Sequence, residues 1–183
     1  MGIYSKLDRL IVVVDYDPRW PALYQSEKEQ LVSLLGDKPV DLQHIGSTSI
    51  PGLAAKPVID IAIGFQELQT AESCIHLLEN AGYAYEPDLE AALPGRRFLW
   101  RVDLTSQRYH LHLASIHSRL WSAPLAFRDY VRRHPEAASE YRKLKATLAL
   151  ECGSDVGAYI DGKAGFIEKI LRRANAEATS AGH

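Results

Sequence analysis

HIGSTSIPGLAAKPVIDI, residues 44–61, sets four small residues between two short apolar runs and brings one carboxylate in on the second. The run over residues 57–63 is β-branched and apolar on both faces apart from Asp60, which predicts a buried strand. Pro57 is compatible with that strand only at its beginning or on an edge, because it lacks an N–H for the ladder. Residues 40–45 form the preceding strand candidate and lead into the turn. Gly46 permits close backbone approach and unusual dihedrals. Ser47, Thr48 and Ser49 add hydroxyls and backbone N–H groups, the donors that cradle an anion. Asp60 on the next strand is placed to return its side chain to the turn and hold a divalent cation beside a phosphate. The competing reading is a tight structural turn in which Asp60 is a cap or a paired carboxylate.

The elements on either side follow from periodicity. Residues 11–14 read as a short β-branched strand, broken by 15–18. Asp17 as N-cap and Pro18 at the first helical position predict a helix start. Trp20, Leu23, Glu27, Leu31, Leu34 and Leu35 then recur with helical spacing, and Gly36 ends the run. Leu68, Ala71, Ile75 and Leu78 mark a second amphipathic helix that stops at 80–82. Residues 83–86 suggest a brief strand and 86–95 a loop. Phe98, Trp100 and Val102 alternate with Leu99, Arg101 and Asp103. Tyr109, Leu111 and Leu113 do so with Arg108, His110 and His112, so the two runs predict an antiparallel hairpin across 105–107. From residue 116 the pattern is helical, over 120–134, 135–150 and 156–176, with Pro135 at one start and Gly153 before another. Strands mixed with helices, then helices alone, predict an α+β fold. One domain over 1–177 is expected, with a mixed α/β part at 1–115, a helical part at 116–177 and a flexible tail at 178–183.

A second constellation is His110 and His112. Residues two apart on a strand project from one face, roughly 7 Å apart. They can serve as metal ligands or as acid–base and phosphate contacts; the alternative is two histidines on a solvated hairpin face. Arg101 and Arg108 on the same hairpin would add charge for an anion. The helical part supplies further cations. Arg132, Arg133 and Lys143 read as a solvated face. Lys163 lies among Gly162, Gly165 and apolar residues, and Lys56 between Ala55 and Pro57, so both are candidates for reaching a phosphate.

Composition narrows the classes. The chain of 183 residues is 46% hydrophobic and 24% charged, with a formal net charge of −2. That balance gives no global field for collecting nucleic acid, so an anion must be met by a local cluster. No apolar run approaches the ~20 residues of a membrane span, and the first residues lack a signal-peptide cleavage pattern. Cys74 and Cys152 form no paired motif and read as small buried residues of a reducing, cytoplasmic protein. There is no phosphate-binding GxxxxGK[ST], no GxGxxG after a strand and no GxSxG.

YDPRW (16–20), HIGSTSIPGLAAKPVIDI (44–61), HLHL (110–113), FRDYVRRHPE (127–136), YRKLK (141–145) and GKAGFI (162–167) together resemble the GrpB family, in its order and over roughly residues 10–175. The resemblance implies a nucleotidyltransferase-like mixed sheet flanked by helices, with a C-terminal helical segment. That superfamily's pattern is Gly-Ser, about a dozen residues, acid–apolar–acid on a strand, and a third acid on a later strand. Gly46-Ser47 match the first part, and twelve residues separate Ser47 from Asp60, the first acid. The second acid position holds Ala62, and the later strand offers His110 or His112. One aspartate with histidines suits one metal and shifts preference toward a transition metal. The implied function is a metal-dependent transferase acting on a nucleotide or phosphorylated small molecule. Asp60 and His112 would be catalytic. Asp60, His110 and His112 would hold Mg²⁺, Mn²⁺ or Zn²⁺. Gly46, Ser47, Thr48, Ser49, Lys56, Arg128 and Lys163 would bind phosphate. The alternative is a non-catalytic domain that binds a nucleotide or coenzyme-A-like ligand.

Overall fold

The computed structural model describes residues 11–91 and 93–181. In chain order they form α1 (Trp20–Leu35), β1 (Asp41–Ile45), a 3₁₀ turn at Ser47–Ser49, β2 (Val58–Phe65), α2 (Leu68–Asn80) and β3 (Ala84–Tyr85). A second 3₁₀ turn at Pro87–Glu90 precedes β4 (Arg96–Val102), β5 (Arg108–Ser115), α3 (Arg119–Arg133), α4 (Pro135–Cys152) and α5 (Val156–Ala181). The class is α+β, as the sequence predicts.

One five-stranded sheet has the order β1-β2-β5-β4-β3. β2 and β5 pair in parallel, and the other pairs are antiparallel. The alternation of side chains along β2 and β5 divides the sheet into two faces. On one, Ile59, Ile61, Ile63, Tyr109, Leu111 and Leu113 pack against α1 and α2 through Trp20, Leu31, Cys74 and Leu78. Full burial of a side chain such as Ile61 or Leu111 stabilises the fold by about 1.5–3 kcal/mol. The other face carries Asp60, Ala62, His110 and His112 and is roofed by the C-terminal helices. Those helices have their own core, built from Phe127, Tyr130, Val131, Tyr141 and Ile170, with Ile50 and Leu53 inserted from the loop after β1.

The expected hairpin is present, with Phe98 opposite His112 and Trp100 opposite His110. Three boundaries differ from expectation. Residues 11–14 form no strand: Val14 alone bridges to Ala55, the Ile11 N–H donates to the Gly153 carbonyl, and Val12 is 53% exposed, so the run is held to loops rather than to the sheet. α1 begins at Trp20, because the Asp17 carboxylate accepts from the Arg19 N–H at 2.8 Å and from its guanidinium, making a turn ahead of the helix. α5 continues to Ala181, so residues 178–181, expected in a flexible tail, are helical, while 182 and 183 lie outside the described residues. Cys74 is buried and Cys152 half-buried, and both are free thiols. Among the described residues, no helix is long and apolar enough to cross a membrane.

Candidate anion and metal site

The parallel β2–β5 pairing sets Asp60 beside His110 and Ala62 beside His112. All four belong to the roofed face, so the aspartate meets both imidazoles. His112 Nε2 lies 3.1 Å and His110 Nδ1 3.3 Å from the same oxygen, Asp60 Oδ1, and the three side chains are only 18–25% exposed. Burial pushes the Asp60 pKa up, but the hydrogen bonds from His110 and His112 outweigh it and hold the carboxyl below its ordinary value. Burial lowers the His112 pKa, opposed by its bond to Asp60 and reinforced by the Arg96 charge.

Arg96 fixes the His112 tautomer. Its guanidinium can only donate, and Nη1 lies 3.1 Å from His112 Nδ1. Nδ1 is therefore the acceptor, and Nε2 carries the hydrogen that goes to Asp60. The second nitrogen of His110, Nε2, is buried and has no hydrogen-bond partner among the described residues. One donor atom from each of Asp60, His110 and His112 lies within 4.8 Å of the others. Two imidazoles and a carboxylate are a donor set for a transition-metal dication rather than a hard cation such as Mg²⁺, so the residues present fit a metal of that kind.

The turn is shaped around the carboxylate. Gly46 has φ 69°, and a Cβ on it would stand 2.4 Å from Asp60 Oδ2. Ser49 Oγ donates to the Gly46 carbonyl at 2.6 Å. Thr48 Oγ1 donates to the Val58 carbonyl at 2.8 Å and is met by His44 Nε2 at 3.1 Å. The hydroxyls of Thr48 and Ser49 therefore build the turn, whereas Ser47 opens on the cleft.

A cleft of about 280 Å³ lies over this face. Its walls carry Lys56, Arg96, Arg108, Lys145 and Lys163 against one carboxylate, Asp60. Lys163, on α5, lies 4.2 Å from the centre of the Tyr159 ring. Burial lowers its pKa to about 8, with Asp60 raising and Lys56 lowering it. Lys145, on α4, is 2% exposed, donates to the Ala54 carbonyl and lies over the Tyr141 ring. Burial, followed by the charges of Lys163 and Arg142, lowers its pKa to about 7.

Two candidates are placed elsewhere. Arg128 does not line the cleft: its Nη1 donates to Gln43 Oε1 at 2.8 Å and the His44 carbonyl at 2.9 Å, and its Nε to Asp129 Oδ1 at 2.7 Å. It is a strut between α3 and β1. Arg101 lies on the opposite face of the sheet, ion-paired with buried Glu27. Arg132 does more than face solvent, since both its Nε and its Nη2 donate to the Ser49 carbonyl and pin the turn. Arg96 and Tyr141 were not anticipated at the site, and Lys145 belongs to the basic set of the helical part without a role assigned from sequence. The pairing of Tyr141 with Lys145 was readable, because residues four apart share a helix face.

The family model described as GrpB protein matches residues 10–173. A UPF0157 protein of Halalkalibacterium halodurans is 34% identical over 170 residues, covering 91% of this chain and 83% of the relative. The crystal structure of conserved protein GrpB from Enterococcus faecalis superposes with a TM-score of 0.80 at 32% identity, covering 91% of this chain and 99% of that one. Some relatives are longer. The chain spans 47% of the UPF0157 protein YqkA of Bacillus subtilis, at 32% identity over 91% of this chain. It spans 45% of a dephospho-CoA kinase of Mycolicibacterium paratuberculosis, at 28% identity over 88% of this chain.

Proposed function

This chain belongs to the GrpB family, and from that premise we propose that its cleft binds a transition-metal dication and a phosphorylated small molecule, a nucleotide among the candidates. The observation that carries the reading is the meeting of Asp60, His110 and His112 at one carboxylate oxygen, in a cleft lined by five lysine and arginine side chains. Asp60, His110 and His112 would hold the cation, which supplies Lewis-acid charge to a phosphoryl oxygen. Lys163, Lys56 and Arg108 would neutralise the phosphate, and Ser47 with the turn would orient it. Arg96 both contacts His112 and lines the cleft. With Nε2 on a cation, His112 would carry its proton on Nδ1 and would no longer accept from Arg96 Nη1. Transfer of a nucleotidyl or phosphoryl group to a small acceptor is the reaction such a site would support.

A second reading, binding without turnover, is favoured by Ala62. At the second acid position it packs with Ile45, Ala114 and Trp121, so the neighbourhood that would hold a second carboxylate is apolar. The same cleft would then belong to a regulatory domain for a nucleotide or coenzyme-A-like ligand.

Calorimetry with Mn²⁺, Zn²⁺ and ATP, each alone and in pairs, tests the first reading. Metal-dependent ATP binding that disappears in Asp60→Asn is expected, with melting curves confirming that the variant folds. Unchanged metal-dependent affinity in the variant would defeat it. Pyrophosphate or phosphate release, followed with the same metals, separates transfer from binding alone.

A further inference from the structure

The cleft has an apolar annex. A second cavity of about 550 Å³ shares Ser47, Asp60, Arg96, His112 and Lys163 with the first, so one bound molecule can occupy both. Its remaining walls differ in character. Apart from Arg119 and the Tyr141 hydroxyl, they are hydrocarbon, dominated by Leu120, Ala123, Pro124 and Phe127 on α3 and Ile167 and Leu171 on α5. Leu120, Ala123, Pro124 and Ile167 are only half-buried, so part of this apolar lining stays exposed to the cavity. Pro124, inside α3, also removes the N–H that would bond the Leu120 carbonyl.

Resting on the anion-binding reading, we infer that the ligand is amphiphilic: a phosphate at the polar cleft, joined to an alkyl or aryl body lying along the α3–α5 wall. Bare inorganic phosphate or a compact sugar phosphate would leave that lining in water. The annex offers few polar groups to match a hydroxyl-rich body, and a buried ligand hydroxyl without a partner is unfavourable. Alkyl and aryl bodies suffer no such loss. Each methylene taken from water contributes roughly fourfold in affinity.

A calorimetric series of inorganic, methyl, butyl and hexyl phosphate, with Mn²⁺ present, reads this directly. Affinity is expected to rise by roughly fourfold per methylene until the annex is filled. Leu120→Asn should flatten the slope while leaving inorganic phosphate affinity within about twofold, as expected for a wall that touches only the body. Should that variant fail to fold, Ala123→Gln blocks the same wall and carries the same expectation. Inorganic phosphate bound with no gain along the series overturns the amphiphile and leaves the anion reading standing. Failure of every phosphate to bind overturns both. A slope that persists in the folded variant places the alkyl chain elsewhere and also overturns the inference.

Discussion

Asp60 fills the space that a side chain on Gly46 would need. The glycine sits at φ 69°, and an added Cβ would fall 2.4 Å from Asp60 Oδ2. Gly46→Ala therefore combines a strained backbone with a displaced carboxylate. It is expected to destabilise the fold by about 1–3 kcal/mol and to weaken Mn²⁺ binding at least tenfold. Denaturant titration and calorimetry check the two effects separately; unchanged metal affinity would show that the carboxylate does not need its seat. At this scale much of the site was legible. A glycine before hydroxyls, an aspartate on an apolar strand and histidines two apart are local patterns whose consequences are local. Lys145 and Arg128 were not legible, for opposite reasons. Both sit in charged helical sequence that resembles a solvated surface, and only docking of the helices decides that one roofs the cleft and the other is consumed as a strut.

Among the elements, α3 is fastened to β1 by the Arg128 fork, which satisfies Gln43 and the His44 carbonyl. Arg128→Met keeps the packing volume but leaves those acceptors and Asp129 without their donor. A loss of about 2–4 kcal/mol is expected in chemical denaturation. Phosphate affinity should change by less than twofold, since Arg128 does not line the cleft. A selective loss of phosphate binding without loss of stability would return Arg128 to the ligand. The hairpin β4–β5 and the helices were readable from period alone. The run at 11–14 was not a strand because β propensity cannot supply a partner, and Val14 finds only Ala55.

Across the whole molecule, buried bases make stability depend on pH. Burial lowers the His44 pKa to about 4, with Asp60 raising it and Arg132 and Arg128 lowering it. The unfolded chain, near 6.5, then holds more protons than the folded one between pH 4 and 6.5, so stability falls as pH drops through that window. Lys145, lowered to about 7 against 10.5 when unfolded, has the same sign between pH 7 and 10.5, so stability rises with pH there. Melting temperature followed from pH 4 to 10 should show both limbs. Lys163, lowered to about 8, adds to the alkaline limb, so Lys145→Met is expected to shrink that limb without abolishing it and to spare the acid one; an unaltered alkaline limb would assign it to other groups. The α+β order of strands first and helices after was visible in the chain. The parallel contact of β2 with β5 was not, because it joins residues some fifty positions apart that no local pattern relates.

That contact has a consequence for how the protein acquires its chemistry. Sliding β5 by a single residue along β2 would turn both imidazoles toward α1 and α2 and send Leu111 and Leu113 toward the cationic roof. Hydrophobic burial therefore proofreads the alignment on which the proposed site depends. A misaligned chain would lose its core along with the proposed site, and every molecule that survives folding carries its histidines on the roofed side.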